Sequence, residues 1–161
     1  MDEPELVDET RLRAVFRALN ENDVQYAVFG GVALGLHGLA RATADLDLFV
    51  VPEPPNIERL KAALRSVFDD PSIEEISASD LCGGYPAVRY VPPQGFGFDI
   101  LTRLGEAFRY EDLKTEIKQF GDVAVNVVTP RTLWDMKRDT VRPVDRIDAF
   151  ALADRFGFGE E

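Results

Sequence analysis

The chain has 161 residues, of which 45% are hydrophobic, and a formal net charge of −11. Its length and composition fit one domain with its own hydrophobic core, and its charge excludes a broad basic surface for sequence-independent DNA binding. The chain contains no apolar run of about 18 residues, so we expect no membrane span. The acidic N-terminus is unlike a signal or transit peptide, and the single cysteine, Cys82, cannot form an intramolecular disulfide. We therefore expect a cytoplasmic protein.

The first half of the chain predicts alternating helices and strands. Apolar residues at helical spacing predict an amphipathic helix over 8–20, with Asp8 or Thr10 as its cap. A short apolar strand follows at 26–29, then a helical turn or two at 31–37, and a second strand at 47–51. The prolines of 52–55 end that strand, and Asn56 is predicted to cap a helix that reaches Phe68.

The second half is less regular. We predict weak strands near 73–77 and 87–91, a clearer strand over 95–101, a helix over 110–120 and a strand over 123–128. Thr129 and Pro130 form a strong helix start, and a final helix follows Arg142–Pro143 and runs to Phe156. The order of elements predicts an α/β (α+β) fold with an acidic tail over 1–10, one domain over 11–156 and a frayed end over 157–161.

Two acids and two glycines are the first candidates for chemistry. Asp45 and Asp47 are separated by one residue of a predicted strand, so their carboxylates point to the same side. Two like charges held together raise each other's pKa unless a cation neutralises them, and Mg²⁺ is the simplest such cation. Gly30 and Gly31 lie where a strand leads into a helix, a position at which backbone N–H groups can approach phosphate. Taken singly, each motif also fits a plain turn or solvent-facing acids.

The combination is more specific. An apolar strand, a Gly–Gly turn, a short helix, Asp45-x-Asp47 and then Asp99 on a later apolar strand resemble the DNA polymerase β-like nucleotidyltransferase superfamily. Segments 30–38 and 41–49, with Lys137 and the later sequence Arg-Pro-Val-Asp at 142–145, are more similar to the minimal nucleotidyltransferases and the abortive-infection-type nucleotidyltransferase toxins. The resemblance covers about 26–150 and implies a mixed β-sheet flanked by helices, as in the polymerase β-like fold.

The resemblance also implies a function and a set of site residues. The implied activity is transfer of NMP from an NTP to the hydroxyl of a tRNA, protein or small-molecule acceptor. The resemblance also implies a toxin–antitoxin or phage-defence setting with a cognate antitoxin or other partner protein. Asp45, Asp47 and Asp99 would be the catalytic residues and would bind two Mg²⁺ ions, with Mn²⁺ as an alternative. The implied nucleotide-binding residues are Gly30, Gly31, Arg41, Thr43 and Lys137.

Alternatives remain open at this stage. Arg41 and Thr43 are also compatible with loop-stabilising hydrogen bonds, and Lys137 with an exposed helix lysine. We expect His37 to pack at a helix end and Trp134 to belong to the core. The chain as a whole could instead be a catalytically inactive nucleotidyltransferase fold that serves as a nucleotide-binding or antitoxin-like interaction module, or an unrelated small α/β protein.

Overall fold

The structure is a computed structural model, and it describes residues 6–39, 42–105, 108–138 and 143–159. The helices in these ranges are α1 (Glu9–Glu21), α2 (Gly30–Leu36), α3 (Pro54–Val67), α4 (Ala78–Leu81), α5 (Pro130–Lys137) and α6 (Pro143–Phe156). The strands are β1 (Tyr26–Phe29), β2 (Asp45–Val50), β3 (Ala87–Tyr90), β4 (Gly97–Leu101), β5 (Arg103–Leu104), β6 (Phe108–Arg109), β7 (Thr115–Phe120) and β8 (Val123–Val128). Among the described residues, no helix is both long enough and apolar enough to cross a membrane.

Six strands form one mixed sheet in the order β3-β4-β2-β1-β8-β7. β2 is antiparallel to β1 and parallel to β4, while β1 is parallel to β8. The two edge strands, β3 and β7, run antiparallel to their neighbours, and β5 and β6 form a separate two-stranded ladder. The mixed sheet with its flanking helices confirms the predicted fold class.

The centre of the sheet explains how polar and apolar side chains are separated. In β2, Leu46, Leu48 and Val50 are fully buried, whereas Asp45 and Asp47 on the opposite side retain partial exposure. This alternation follows from the two-residue repeat of a strand. α1 contacts α3, α5 contacts α6, and α2 contacts β1, β2 and β8. The central strands thus present acids on one side while their apolar residues build the core.

Several local predictions are confirmed with small shifts in their bounds. α1 begins one residue after Asp8, whose carboxylate accepts a hydrogen bond from the Arg11 N–H at 2.8 Å. Thr129 caps α5 as expected and accepts from the Thr132 N–H. His37 ends α2, is buried, and its Nε2 lies 2.8 Å from the Val128 carbonyl oxygen. Trp134 is only 4% exposed, as a core residue should be.

Asn56 does not cap α3, which begins at Pro54 with Glu53 as its N-cap. Instead Asn56 lies in the first turn of α3, and its side chain is fully buried. Its amide donates to the carbonyl oxygens of Gln25 at 3.0 Å and Val51 at 3.1 Å, and its oxygen accepts from the Gln25 N–H at 2.8 Å. Asn56 therefore ties the residue before β1 to the residue after β2.

Two predicted elements are wrong. The segment 73–77 is not a strand, because Asp70 and Pro71 begin a 3-10 turn over Pro71–Glu75, and the Asp70 side chain accepts from the Ser72 N–H. The segment 110–120 is not a helix: it contains a 3-10 turn over Tyr110–Asp112 and then strand β7. Pairing of β7 with β8 through a tight turn is favoured there over helical propensity.

The end of the chain stays in contact with the domain as far as it is described. The Phe158 ring lies 5.5 Å from the Trp134 ring and 6.1 Å from the Phe156 ring, measured between centroids. The Arg131 guanidinium lies over both Trp134 and Phe158. These contacts attach residues just beyond α6 to α5.

Candidate active site

The strand register brings the three predicted carboxylates together. In the parallel pair β2 and β4, Asp45 lies opposite Gly97 and Asp47 lies opposite Asp99. Residues aligned in this way share one side of the sheet, so all three acids lie on the same side. The acids Asp45 and Asp99 are partly exposed, with 31% and 37% of their side chains accessible.

Asp47 is the most perturbed of these acids. The pKa of Asp47 is raised from 3.8 to about 7. Burial is the largest cause, and the charges of Asp99 and Asp45 and a side-chain hydrogen bond with Asp99 act in the same direction. The charge of Lys137 acts in the opposite direction. A carboxylate that resists ionisation in this way is a group whose charged form needs a nearby cation.

The Gly–Gly turn leaves room for Asp47. Gly30 opens α2 with φ of +70°, in the left-handed region that favours glycine. A Cβ atom at Gly30 would overlap the Asp47 carboxylate, and one at Gly31 would lie 3.1 Å from the Thr43 Cβ. Phe29 precedes the helix, and its apolar side chain cannot cap the N–H groups of the first turn. The turn therefore brings backbone N–H groups close to the half-buried Asp47.

Thr43 acts on the backbone of the acidic strand. Its Oγ1 donates to the Asp45 carbonyl oxygen at 3.2 Å and lies 3.4 Å from the Asp45 nitrogen, from which it accepts. Both contacts fix the entry into β2, so Thr43 orients Asp45 through the main chain. Arg41, the other predicted loop residue, lies outside the described residues.

Lys137 forms salt bridges with two acids of α6. Its Nζ donates to Asp145 Oδ1 at 3.1 Å and to Asp148 Oδ2 at 3.0 Å. Both aspartates are buried, and only 13% of the Lys137 side chain is accessible. Lys137 is therefore not an exposed helix lysine, and its charge lies near enough to Asp47 to lower the pKa of that acid.

Arg89 joins the site without having been predicted. It lies on β3 opposite Asp99, donates from Nη2 to Asp45 Oδ1 at 2.8 Å, and from Nη1 to Asp99 Oδ1 at 3.1 Å. The hydrogen bond and charge of Asp45, followed by those of Asp99, raise the pKa of Arg89. Only the register of β3 on β4 reveals this residue, and a single sequence carries no signal for that register.

Comparison with known proteins identifies the family. Residues 13–147 match the family model described as "Nucleotidyl transferase AbiEii toxin, Type IV TA system". The chain belongs to the AbiEii nucleotidyltransferase family. No curated protein matches it as a relative.

Solved structures share the fold of this AbiEii-family chain. A candidate nucleotidyltransferase from Thermotoga maritima has a TM-score of 0.54 at 10% identity, over 94% of this chain and 95% of that one. An antigenic nucleotidyltransferase-like protein from Paracoccidioides brasiliensis has a TM-score of 0.57 at 19% identity, over 95% and 79%. JHP933 from Helicobacter pylori has a TM-score of 0.53 at 18% identity, over 92% of this chain and 65% of that one. At these identities the likeness concerns the fold.

The acids of this AbiEii-family chain suit a divalent metal ion in their chemistry. Mg²⁺ prefers oxygen ligands, and three carboxylates on adjacent, aligned strands supply them. As the side chains are placed, however, no group of three His, Cys, Asp or Glu residues in the described part of the chain is arranged around a metal position. Two of the three carboxylates are instead engaged by Arg89. The oxygen donors are of the kind that a divalent metal ion prefers, and Arg89 occupies oxygens of two of the three acids.

Proposed function

We propose that this protein transfers a nucleoside monophosphate from an NTP to an acceptor hydroxyl and releases pyrophosphate in a Mg²⁺-dependent reaction. The observation that supports this proposal most strongly is the alignment of Asp45, Asp47 and Asp99 on one side of β2 and β4. Membership of the AbiEii nucleotidyltransferase family gives the same reaction class. The acceptor is a tRNA, a protein or a small molecule.

Each carboxylate has a role in the proposed reaction. Asp45, Asp47 and Asp99 would hold two Mg²⁺ or Mn²⁺ ions, which when bound would stabilise negative charge on the attacking and leaving oxygens. Asp99 also receives the proton of the acceptor hydroxyl. Its position supports this role, because it is the more exposed of the two acids that Arg89 contacts.

The triphosphate would lie along the Gly–Gly turn. Backbone N–H groups at Gly30 and Gly31 would donate to phosphate oxygens, since the glycines leave no side chain in the way. Arg41 and Thr43 would contribute from the loop before β2. Lys137 has three N–H donors, two of which are used by acids of α6, so one remains for a phosphate oxygen.

The setting is proposed from the family. AbiEii proteins are described as toxins of Type IV toxin–antitoxin systems, so we propose a cytoplasmic toxin or defence component with a cognate antitoxin. The strongly negative net charge of the chain, −11, repels the phosphates of a long RNA, so a protein or small-molecule acceptor is easier to accommodate.

The test is transfer of label from each α-³²P-NTP to small RNAs, lysate proteins and a small-molecule panel in the presence of Mg²⁺. We expect label on one acceptor class, and we expect its loss in the Asp45→Ala/Asp47→Ala double variant. Asp69→Asn is the control, because Asp69 is an exposed acid just beyond α3 and lies on neither β2 nor β4. Equal labelling by wild type and the double variant would contradict the site assignment.

One other function is supported by a specific observation. Arg89 forms salt bridges with Asp45 and Asp99, and an inactive, nucleotide-binding module of this fold could keep these two acids paired in the same way. Binding of NTP and Mg²⁺ with no transfer to any acceptor in the panel, in the presence of a cognate partner as well as alone, would favour that module.

A further inference from the structure

Arg89 crosses from the edge of the sheet to hold two of the three carboxylates. Its Nη2 lies 2.8 Å from Asp45 Oδ1, and its Nη1 lies 3.1 Å from Asp99 Oδ1. The guanidinium thus spans β4 and links acids on β2 and β4. Charge-assisted contacts made by both ends of one planar group are among the stronger and more directional interactions in proteins.

The backbone around this contact provides the space for it. Gly97 lies on β4 directly opposite Asp45. A Cβ at Gly97 would lie 2.8 Å from Asp45 Oδ1 and 2.9 Å from Arg89 Nη2, closer than a real Cβ approaches such atoms. Glycine within a strand costs stability, and it commonly marks a place where another group must come close. Here the group that comes close is the arginine–carboxylate pair.

The oxygens that Arg89 engages are ones that a metal ion would need. Among the described residues, no three acidic, histidine or cysteine side chains are arranged for a metal, and Arg89 contacts one oxygen each of Asp45 and Asp99. An arginine cannot give up its proton to make way, so it must move. Its side chain is 51% exposed, which allows the guanidinium to swing into solvent without disturbing the core.

We propose that Arg89 is a built-in competitor for the carboxylate site, which a divalent cation must displace from Asp45 and Asp99 in order to bind. This inference rests on the proposed function, because it takes the three carboxylates as the metal site. In consequence, the protein has a weaker intrinsic affinity for divalent ions than its acids alone would give. Metal loading is coupled to the release of Arg89 from the sheet surface.

The test measures metal binding by the intact protein without NTP or acceptor. Free Mn²⁺ is quantified by electron paramagnetic resonance during titration of wild type, Arg89→Gln, Arg89→Lys and Arg103→Gln. Arg103 is an exposed arginine just after β4, so its variant carries the same change in net charge away from the acids. Asp47→Asn identifies the binding that depends on the carboxylates.

We expect Arg89→Gln to tighten Mn²⁺ binding about tenfold, the size expected when two half-exposed ion pairs no longer have to be broken. Arg89→Lys should tighten it less, because a lysine keeps the charge but lacks the planar fork that joins both acids. Arg103→Gln should stay within about twofold of wild type.

The titrations distinguish a failure of the proposed competition by Arg89 from a failure of the proposed metal site. Unchanged or weaker Mn²⁺ binding in Arg89→Gln, with binding still abolished by Asp47→Asn, would overturn the competition while leaving the metal site intact. Wild-type affinity in Arg89→Lys would show that local charge alone acts, and would overturn displacement of a bridging contact. Mn²⁺ binding that is absent, or insensitive to Asp47→Asn, would overturn both this inference and the proposed function.

Discussion

The half-buried acid Asp47 should make the metal-free protein lose stability as the pH rises. Its pKa is raised from 3.8 to about 7, so the folded state binds its proton more tightly than the unfolded state does. The contribution of Asp47 to the free energy of unfolding is therefore greatest at low pH, where the acid is protonated in both states. This contribution is lost as the pH rises from the pKa of the unfolded state to the pKa of the folded state. Linkage gives a loss of about 2.5 kcal/mol in the free energy of unfolding between about pH 5 and pH 8.

Asp47→Asn should remove this loss. The asparagine amide matches the carboxyl group in shape and can donate to Asp99, as the protonated acid does, but it carries no charge at any pH. Since other groups titrate in both proteins, the informative quantity is the difference between the variant and wild type. That difference should grow by about 2.5 kcal/mol in favour of the variant between about pH 5 and pH 8.

Urea unfolding in EDTA at several pH values measures this difference, with Asp69→Asn as the control that should follow wild type. Saturating Mn²⁺ should shrink the advantage of the variant, because a bound cation would favour the charged form of Asp47. A difference between Asp47→Asn and wild type that is independent of pH would contradict a raised pKa for Asp47 in the folded protein.

Two further predictions concern the surroundings of Asp47. Gly30→Ala should destabilise the fold by about 2 kcal/mol or more, because φ is +70° and the new Cβ would overlap the Asp47 carboxylate; urea unfolding should show Gly84→Ala, where the space is open, within about 0.5 kcal/mol of wild type. Lys137→Met should cost about 3 kcal/mol, since two buried aspartates lose the cation they share. The exposed pair of Lys118 with Glu116 offers the control Lys118→Met, which should change stability little; equal effects of the two lysine variants would contradict a structural role for Lys137.

The sequence was most informative where local pattern and strand period agree. The alternation of acids and leucines in β2 placed Asp45 and Asp47 on one side and the leucines in the core. Asp99 could be added only through resemblance to a family, because its approach to Asp47 depends on β2 and β4 being parallel neighbours. That pairing joins segments about fifty residues apart.

The two wrong elements had local signals of their own. β7 is an edge strand whose residues alternate between exposed and half-buried, and Ile117 on it is 61% exposed, so the strand shows no clear apolar face. The Gly121–Asp122 turn between β7 and β8 is a recognisable hairpin signal, and it identifies the segment better than its helical propensity does. Asp70 followed by Pro71 similarly marks a capped turn rather than a strand.

Arg89 could not be found from the sequence. Its strand was predicted, but its importance follows from the register that sets it opposite Asp99 and from the bare backbone of Gly97 opposite Asp45. Asn56 shows the same limit, because its bonds to Gln25 and Val51 depend on how α3 lies across the ends of two strands. Long-range contacts of this kind come from packing and not from local propensity.

The most direct measurement is a crystal structure of the protein with Mn²⁺ and a non-hydrolysable NTP analogue, with the metal located by its anomalous signal. We expect Mn²⁺ bound by Asp45, Asp47 and Asp99, the triphosphate beside Gly30 and Gly31, and Arg89 moved away from the carboxylates. Mn²⁺ located elsewhere, with Arg89 still joining Asp45 to Asp99 beside bound nucleotide, would contradict a metal site at these three acids.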